Sequence, residues 1–194
     1  MHDKAQLVLA STSPFRRDLL QRLGIPFITA APDVDESPLP GEAADALVQR
    51  LSASKARAVG RTHAGLVIGS DQVATVGEAI LGKPGNHERA FEQLQQLSGR
   101  TVTFHTGLCL LDTAKDFQQL DVIPFTVEFR QLSTTQIEHY LRREQPYNCA
   151  GSFKSEALGI TLFRRMQGDD PTALIGLPLI RLTDMLATAG ISLP

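Results

Sequence analysis

The densest group of reactive side chains near the start of the chain is Ser11-Thr12-Ser13-Pro14-Phe15-Arg16-Arg17, which follows the short apolar run Leu7-Val8-Leu9-Ala10. A loop that leads from a strand into a helix exposes unpaired N–H groups. Here hydroxyls and an arginine lie within one turn of them, so the segment can hold an anion. The alternative is that Ser13 merely caps the helix while both arginines solvate its surface, and for a lone S-x-S-P that is the commoner reading. Lys55 is the second candidate. On a helical wheel it falls among Ala44, Val48, Leu51 and Ala58, so its ammonium either snorkels to the edge or faces an anion held in a cleft. A lysine aimed at phosphate contributes charge rather than packing, so its truncation is expected to spare melting and reduce turnover. Asp71 stands between Ser70 and Gln72, just after the apolar run Leu66-Val67-Ile68. A carboxylate there can bind a metal, orient water, or simply cap a turn.

Further along, Gly77 to Pro84 matches G-x-x-x-x-G-K but then places Pro where a P-loop needs Ser or Thr. The metal-binding hydroxyl and a backbone N–H are both lost, so the P-loop reading fails. Gly82 and Lys83 remain as a flexible turn presenting one cation to phosphate or to solvent. Gly151-Ser152-Phe153-Lys154-Ser155-Glu156 sets both signs of charge beside glycine, as ligand loops and many surface loops do. There is no G-x-S-x-G, H-E-x-x-H or G-x-G-x-x-G, and the five histidines have no ligand spacing. Serine hydrolase, zinc enzyme and dinucleotide oxidoreductase lose ground accordingly. Scattered Arg and Lys with a few carboxylates are the equipment of metal-assisted phosphate chemistry.

These groups need a frame. Residues 7–10 read as a strand, Ser13 as the N-cap and Pro14 as the first residue of a helix that Gly24 stops. The acidic, Pro-rich stretch 31–42 lacks periodicity and reads as loop. Residues 42–59 read as a helix closed by Gly60. The run 66–68 reads as a buried strand with polar residues at its C-terminal end, where open α/β sheets bind ligands. A helix over 86–97 ends at Ser98-Gly99, and strands over 101–111 and 124–129 are expected to pair antiparallel. Ser133-Thr134-Thr135-Gln136 has the form of a capping box and starts a helix to about 143. Residues 151–163 are mixed, and 174–189 read as a terminal helix broken near its start by Gly176 and Pro178. The expectation is one α/β domain over 1–194, with a mixed sheet folded into two lobes.

Composition narrows the class. With 42% hydrophobic and 21% charged residues in 194, the chain is globular rather than disordered or fibrous. Lys+Arg 19 against Asp+Glu 21 gives a net charge of −2, so no basic field holds the protein on duplex nucleic acid. Only two cysteines occur, Cys109 and Cys149, which argues against a zinc cluster or disulfide scaffold and for a reducing cytoplasm. No apolar run approaches the roughly 18 residues of a membrane span, and 7–10 is too short for a signal-peptide core. The expected protein is soluble and cytoplasmic, without a membrane partner.

Taken in order, the motifs run from Leu9-Ala10-Ser11-Thr12-Ser13-Pro14-Phe15-Arg16-Arg17-Asp18-Leu19-Leu20 through Asp35-Glu36, Lys55-Ala56, Gly69-Ser70-Asp71-Gln72-Val73 and Gly82-Lys83-Pro84. Gly151 to Glu156 and Gly176-Leu177-Pro178-Leu179 complete the set. Together they resemble the Maf-like nucleoside triphosphate pyrophosphatases over nearly the whole chain. The resemblance implies an α/β fold with a mixed twisted sheet, flanking helices and two lobes around a central cleft, in the manner of Maf and inosine triphosphatase proteins. It implies a cytoplasmic enzyme, homodimeric in many members, that uses Mg²⁺ or Mn²⁺ to split a nucleoside triphosphate into monophosphate and pyrophosphate. Gln72 after the aspartate and the Ser-Phe-Lys-Ser-Glu segment resemble the 7-methyl-GTP branch rather than the dTTP/UTP branch.

By that resemblance Asp71 is the general base and, with Glu36, a metal partner. Phe15, Gln72 and Glu156 discriminate the base, while Ser11, Ser13, Arg16, Lys55, Lys83 and Lys154 surround the triphosphate. Phe15 departs from the pattern, since this branch can carry Trp there; the smaller ring still stacks on a cationic base, less strongly. Two rival readings are dTTP/UTP specificity and a non-catalytic nucleotide-binding regulator of cell division.

Overall fold

The computed structural model describes residues 6–193. A 7-stranded mixed sheet runs in the order β2 (Ile28–Ala30), β1 (Leu7–Ala10), β3 (Leu66–Val76), β5 (Thr101–Asp112), β6 (Phe117–Phe129) and β7 (Phe163–Gln167), with β4 (Ala79–Leu81) pairing β3 off that path. β1 is parallel to both its neighbours and every other pairing is antiparallel. Its unbroken Leu-Val-Leu-Ala run is what a parallel strand covered on both faces requires. The helices are α1 (Pro14–Gln21), α2 (Ala44–Gly60), α3 (His87–Leu97), α4 (Thr134–Glu144), α5 (Pro171–Ile175) and α6 (Leu179–Thr188). Ser13 caps α1 with Pro14 following it, and Ser133 and Gln136 close a full capping box on α4. The break expected near Gly176 separates α5 from α6, and Asp170 ties their starts together by accepting from the N–H groups of Thr172 and Ile180.

One expectation fails instructively. The strand read over 66–68 continues through Ser70-Asp71-Gln72 to Val76, so Asp71 is mid-strand rather than at a C-terminal end. One edge of β3 pairs with β5 from Leu66 to Thr75. The opposite edge pairs with β1 only over Leu66–Gly69 and with β4 only over Ala74–Val76. Residues 70–73 therefore lack a strand partner on that edge among the described residues. The polar run marks a gap in the sheet, not the end of the strand. The carboxyl end that opens a site is that of β1, at Ala10.

The gap divides two lobes that share β3 and β5. One lobe buries α3, α4 and β7 against the distal halves of the long strands, around Phe104, Phe129, Leu94 and Leu141. The other places α1 and α6 on one face of β1 and β3, and α2 on the opposite face. β6 also begins earlier than expected, at Phe117, with Pro124 inside it. β7 pairs only from Thr126 onward, so at Pro124 one edge of β6 is free and the missing donor is tolerated.

Two glycines set how closely α2 lies on the sheet. A Cβ on Gly69 would sit 2.1 Å from the carbonyl oxygen of Ser52, and one on Gly107 2.2 Å from that of Val48. Gly107 is the cross-strand partner of Asp71, so this close approach brings the buried face of α2 down onto the aspartate. Gly107→Ala forces helix and sheet apart, and the expected cost is about 1 to 3 kcal/mol. A thermal melt checks it: unchanged melting would mean that the helix yields freely.

Candidate active site

Between the lobes lies a cleft of about 940 Å³, and every site residue named from the sequence lines it. Ser11, Ser13, Phe15 and Arg16 come from the β1–α1 turn and α1, Glu36 from the loop before α2, and Lys55 from α2. Asp71 and Gln72 stand at the open edge of β3, Lys83 follows β4, and Lys154 and Glu156 follow α4.

At its base Lys55 is buried, only 5% exposed. Its Nζ lies 2.6 Å from Oδ1 of Asp71 and 2.7 Å from Oε1 of Glu36. Snorkelling therefore does not describe it, nor does a cation waiting alone for phosphate. It is one ammonium shared by two carboxylates. Oδ1 of Asp71 is taken by Lys55, whereas Oδ2 has no partner and no buried side-chain oxygen is left unpaired among the described residues. Oδ2 therefore opens to the cleft, where it can accept a proton from water. Burial raises the Glu36 carboxyl, but the hydrogen bond and charge of Lys55, with Lys83 and Arg16 farther off, outweigh this and hold it below the usual carboxylate range.

In the β1–α1 turn Ser13 caps the helix as expected, but Arg16 turns into the cleft instead of solvating the surface. Ser13 accepts from Arg16 N–H, and Ser11 Oγ accepts from Ser13 N–H at 3.1 Å. A hydroxyl that accepts keeps its own proton to donate, so capping leaves both serines able to bond phosphate. Arg16 donates through Nε to the Gly176 carbonyl at 2.8 Å, which fixes the guanidinium plane and leaves its terminal amines for the cleft. Burial lowers this guanidinium from its ordinary value, and the Asp71 and Glu36 carboxylates oppose that.

Gln72 leaves β3 on the face opposite Asp71. Its Nε2 donates to the carbonyls of Ala173 (2.7 Å) and Leu174 (3.1 Å) and to Thr106 Oγ1 (3.0 Å). Carbonyls only accept, and Thr106 spends its own proton on Ala173, so the amide nitrogen must face α5. The oxygen, without a partner among the described residues, is offered to the cleft. Phe15 is half-buried in the wall and Glu156 exposed at the rim. Lys154 is less free than the sequence suggested: its ammonium lies 3.1 Å from Oε1 of Glu144 and donates to the Glu144 carbonyl.

Sequence reading passed over Glu144, Thr106 and the lining thiol Cys149. Glu144 also accepts from Leu158 N–H and so gathers the 154–158 segment; a lone acidic residue at the end of a helix carries no signal of that. Burial pushes the Cys149 thiol up to about 11, with Lys154 and Lys83 opposing, so it is an inert wall rather than a nucleophile.

Among the described residues no group of three or more His, Cys, Asp or Glu side chains is placed to hold a metal ion. Two carboxylates gathered on one cation do fit Mg²⁺ or Mn²⁺ arriving with a triphosphate, since such an ion takes one or two carboxylates and fills its shell with phosphate oxygens and water. Among the described residues no helix is long and apolar enough to cross a membrane.

The family model described as Maf-like protein matches residues 6–189. A 7-methyl-GTP pyrophosphatase of Nitrosococcus oceani is 60% identical over 95% of this chain and 93% of its own length. One of Pseudomonas fluorescens is 56% identical over 97% of this chain and 98% of its own. Among solved structures, a HAM1 protein from Coxiella burnetii aligns with a TM-score of 0.48 at 20% identity, covering 66% of this chain and 74% of that one.

Proposed function

This chain belongs to the Maf-like protein family, and we propose that within it the protein hydrolyses 7-methyl-GTP to 7-methyl-GMP and pyrophosphate, clearing a modified nucleotide from the cytoplasm. The observation that carries this reading is the convergence of a cleft-facing carboxylate, its paired lysine, the cations Arg16, Lys83 and Lys154, and the side chains Phe15, Gln72 and Glu156 on a single cleft. Water attacks the α-phosphorus in line, its proton passes to Oδ2 of Asp71, and the bond to the β-phosphate oxygen breaks to release pyrophosphate. Positioning and charge neutralisation are what such a displacement demands. Arg16 and Lys83, with the Ser11 and Ser13 hydroxyls, face the phosphates; Lys154 joins them by exchanging Glu144 for phosphate. Glu36 and Asp71 are the residues that would hold Mg²⁺ or Mn²⁺, which when bound neutralises triphosphate charge and acidifies water. A homodimer is part of the same proposal, and sedimentation of the purified protein tests it.

The base side is acceptor-rich. Gln72 offers an oxygen, Glu156 a carboxylate and Phe15 a π face, which suit a cationic purine with N–H donors along its edge. The test is pyrophosphate release from 7-methyl-GTP, GTP, dTTP and UTP with Mg²⁺ or Mn²⁺. Preference for 7-methyl-GTP is expected; preference for dTTP or UTP moves the protein to the other branch, and binding without turnover makes it a regulator. Because Glu156 is exposed, Glu156→Gln should lower kcat/KM for 7-methyl-GTP by only about 5-fold, and less for GTP, whose guanine base is uncharged. Equal loss on both substrates would show that the residue binds nucleotides without reading the methyl group.

A further inference from the structure

The loop over residues 31–43 contains no helix or strand, yet it delivers Glu36 to within 2.7 Å of Lys55. The Glu36 side chain is 56% exposed, and a single ion pair with one exposed partner does not order a loop of this length. Something else must bring it there. Arg50 does so, from a place about one and a half turns before Lys55 on α2. Its fork grips Glu42 with Nε 2.6 Å from Oε1 and Nη2 2.7 Å from Oε2, and the same Nη2 donates to the Ser37 carbonyl at 3.0 Å. Glu42 Oε2 in turn accepts from Leu39 N–H, and Asp35 accepts from Ser37 N–H. The loop is thus tied on either side of its tip, with Glu36 left to reach Lys55. Arg50 itself does not line the cleft.

We propose that Arg50 is a positioning residue of the hydrolytic site: by clamping Glu42 and the Ser37 carbonyl it holds Glu36 against Lys55, and so steadies the Lys55–Asp71 pair. The clamp uses the planar two-pronged geometry of guanidinium, which an ammonium cannot reproduce. Arg50 is not among the buried residues that seat α2 on the sheet, such as Leu47, Val48, Leu51, Ala56 and Val59, and its side chain, 30% exposed, lies against the loop it clamps.

The proposal rests on the hydrolase reading above, and its test separates the two. Wild type, Arg50→Ala, Arg50→Lys, Glu36→Gln and the Arg50→Ala/Glu36→Gln double variant are assayed with 7-methyl-GTP, and hydrogen exchange is followed at the Leu39 amide. Arg50→Ala should lower kcat/KM about 10-fold, Arg50→Lys should recover little of it, and the double variant should lose no more than about 2-fold beyond Glu36→Gln alone, because Arg50 reaches the site through the Glu36 loop and otherwise adds only a distant charge toward Asp71. The Leu39 amide should exchange faster in both Arg50 variants. Losses that multiply in the double variant, or an Arg50→Ala protein as active as wild type, overturn the proposal. A wild type inactive on 7-methyl-GTP overturns the functional reading instead, while the exchange measurement still reports on the clamp.

Discussion

Replacing Asp71 by Asn should lower kcat on 7-methyl-GTP by about 10² or more while KM changes little, the scale expected when a positioned general base is lost. The substitution preserves volume, and the amide oxygen can still accept from Lys55 where Oδ1 now does at 2.6 Å. What disappears is the oxygen that faces the cleft, replaced by an NH₂ group that cannot take a proton from water. Lys55 also keeps Glu36 as a partner, so the fold is expected to survive. Steady-state kinetics beside a melting curve decide the matter. A folded Asp71→Asn protein with near-wild-type turnover would remove Asp71 from the chemistry.

Local settings single out a few candidates: a capped helix start after a buried strand, a lysine on an apolar helical stripe and a carboxylate after an apolar run. Each has a structural alternative, and the roles given to Glu36, Phe15, Gln72 and Glu156 come only from the order of motifs along the chain. The partnerships could not be read locally. Lys55 and Asp71 are joined by the close approach of α2 to β3, and that distance is set by Gly69 and Gly107, which from sequence alone look like ordinary strand glycines. The length of β3 was misjudged for a related reason. Periodicity equates buried with apolar, whereas Ser70 and Asp71 are buried and polar, Ser70 donating to the Gly107 and Gly176 carbonyls and Asp71 pairing with Lys55, while β5 keeps the backbone paired. Short elements such as β2, β4 and β7 carry too few residues for a pattern, and pairing with longer neighbours creates them. The pairing of Lys154 with Glu144, ten residues earlier, is likewise invisible locally.

Lys55→Ala should lower both stability and activity, reversing the sequence-based expectation that melting would be spared. The ammonium is not a spare cation but the partner of Asp71, whose side chain is about as buried as its own, 10% against 6% exposed. Removing one member of a buried pair strands the other; such losses reach about 3 to 5 kcal/mol, and the cleft-facing Oδ2 and exposed Glu36 reduce this to about 2 to 4 kcal/mol. For a chain of this size that corresponds to a fall in Tm of roughly 4 to 16 °C. Activity should fall by about 10² or more, because the variant loses a preorganised charge beside the phosphate site as well as the group that orients Asp71. Lys55→Met keeps most of the stem and should melt nearly as low, which assigns the loss to charge rather than volume. The double variant Lys55→Met/Asp71→Asn is the sharper experiment. With no buried carboxylate left stranded, since Glu36 is exposed, it should regain much of the lost stability, yet it has neither base nor cation and should be at least as inactive as Asp71→Asn. If Lys55→Ala instead melts with wild type while kcat/KM collapses, the lysine is a free cation awaiting phosphate and the ion pair with Asp71 is not formed in solution.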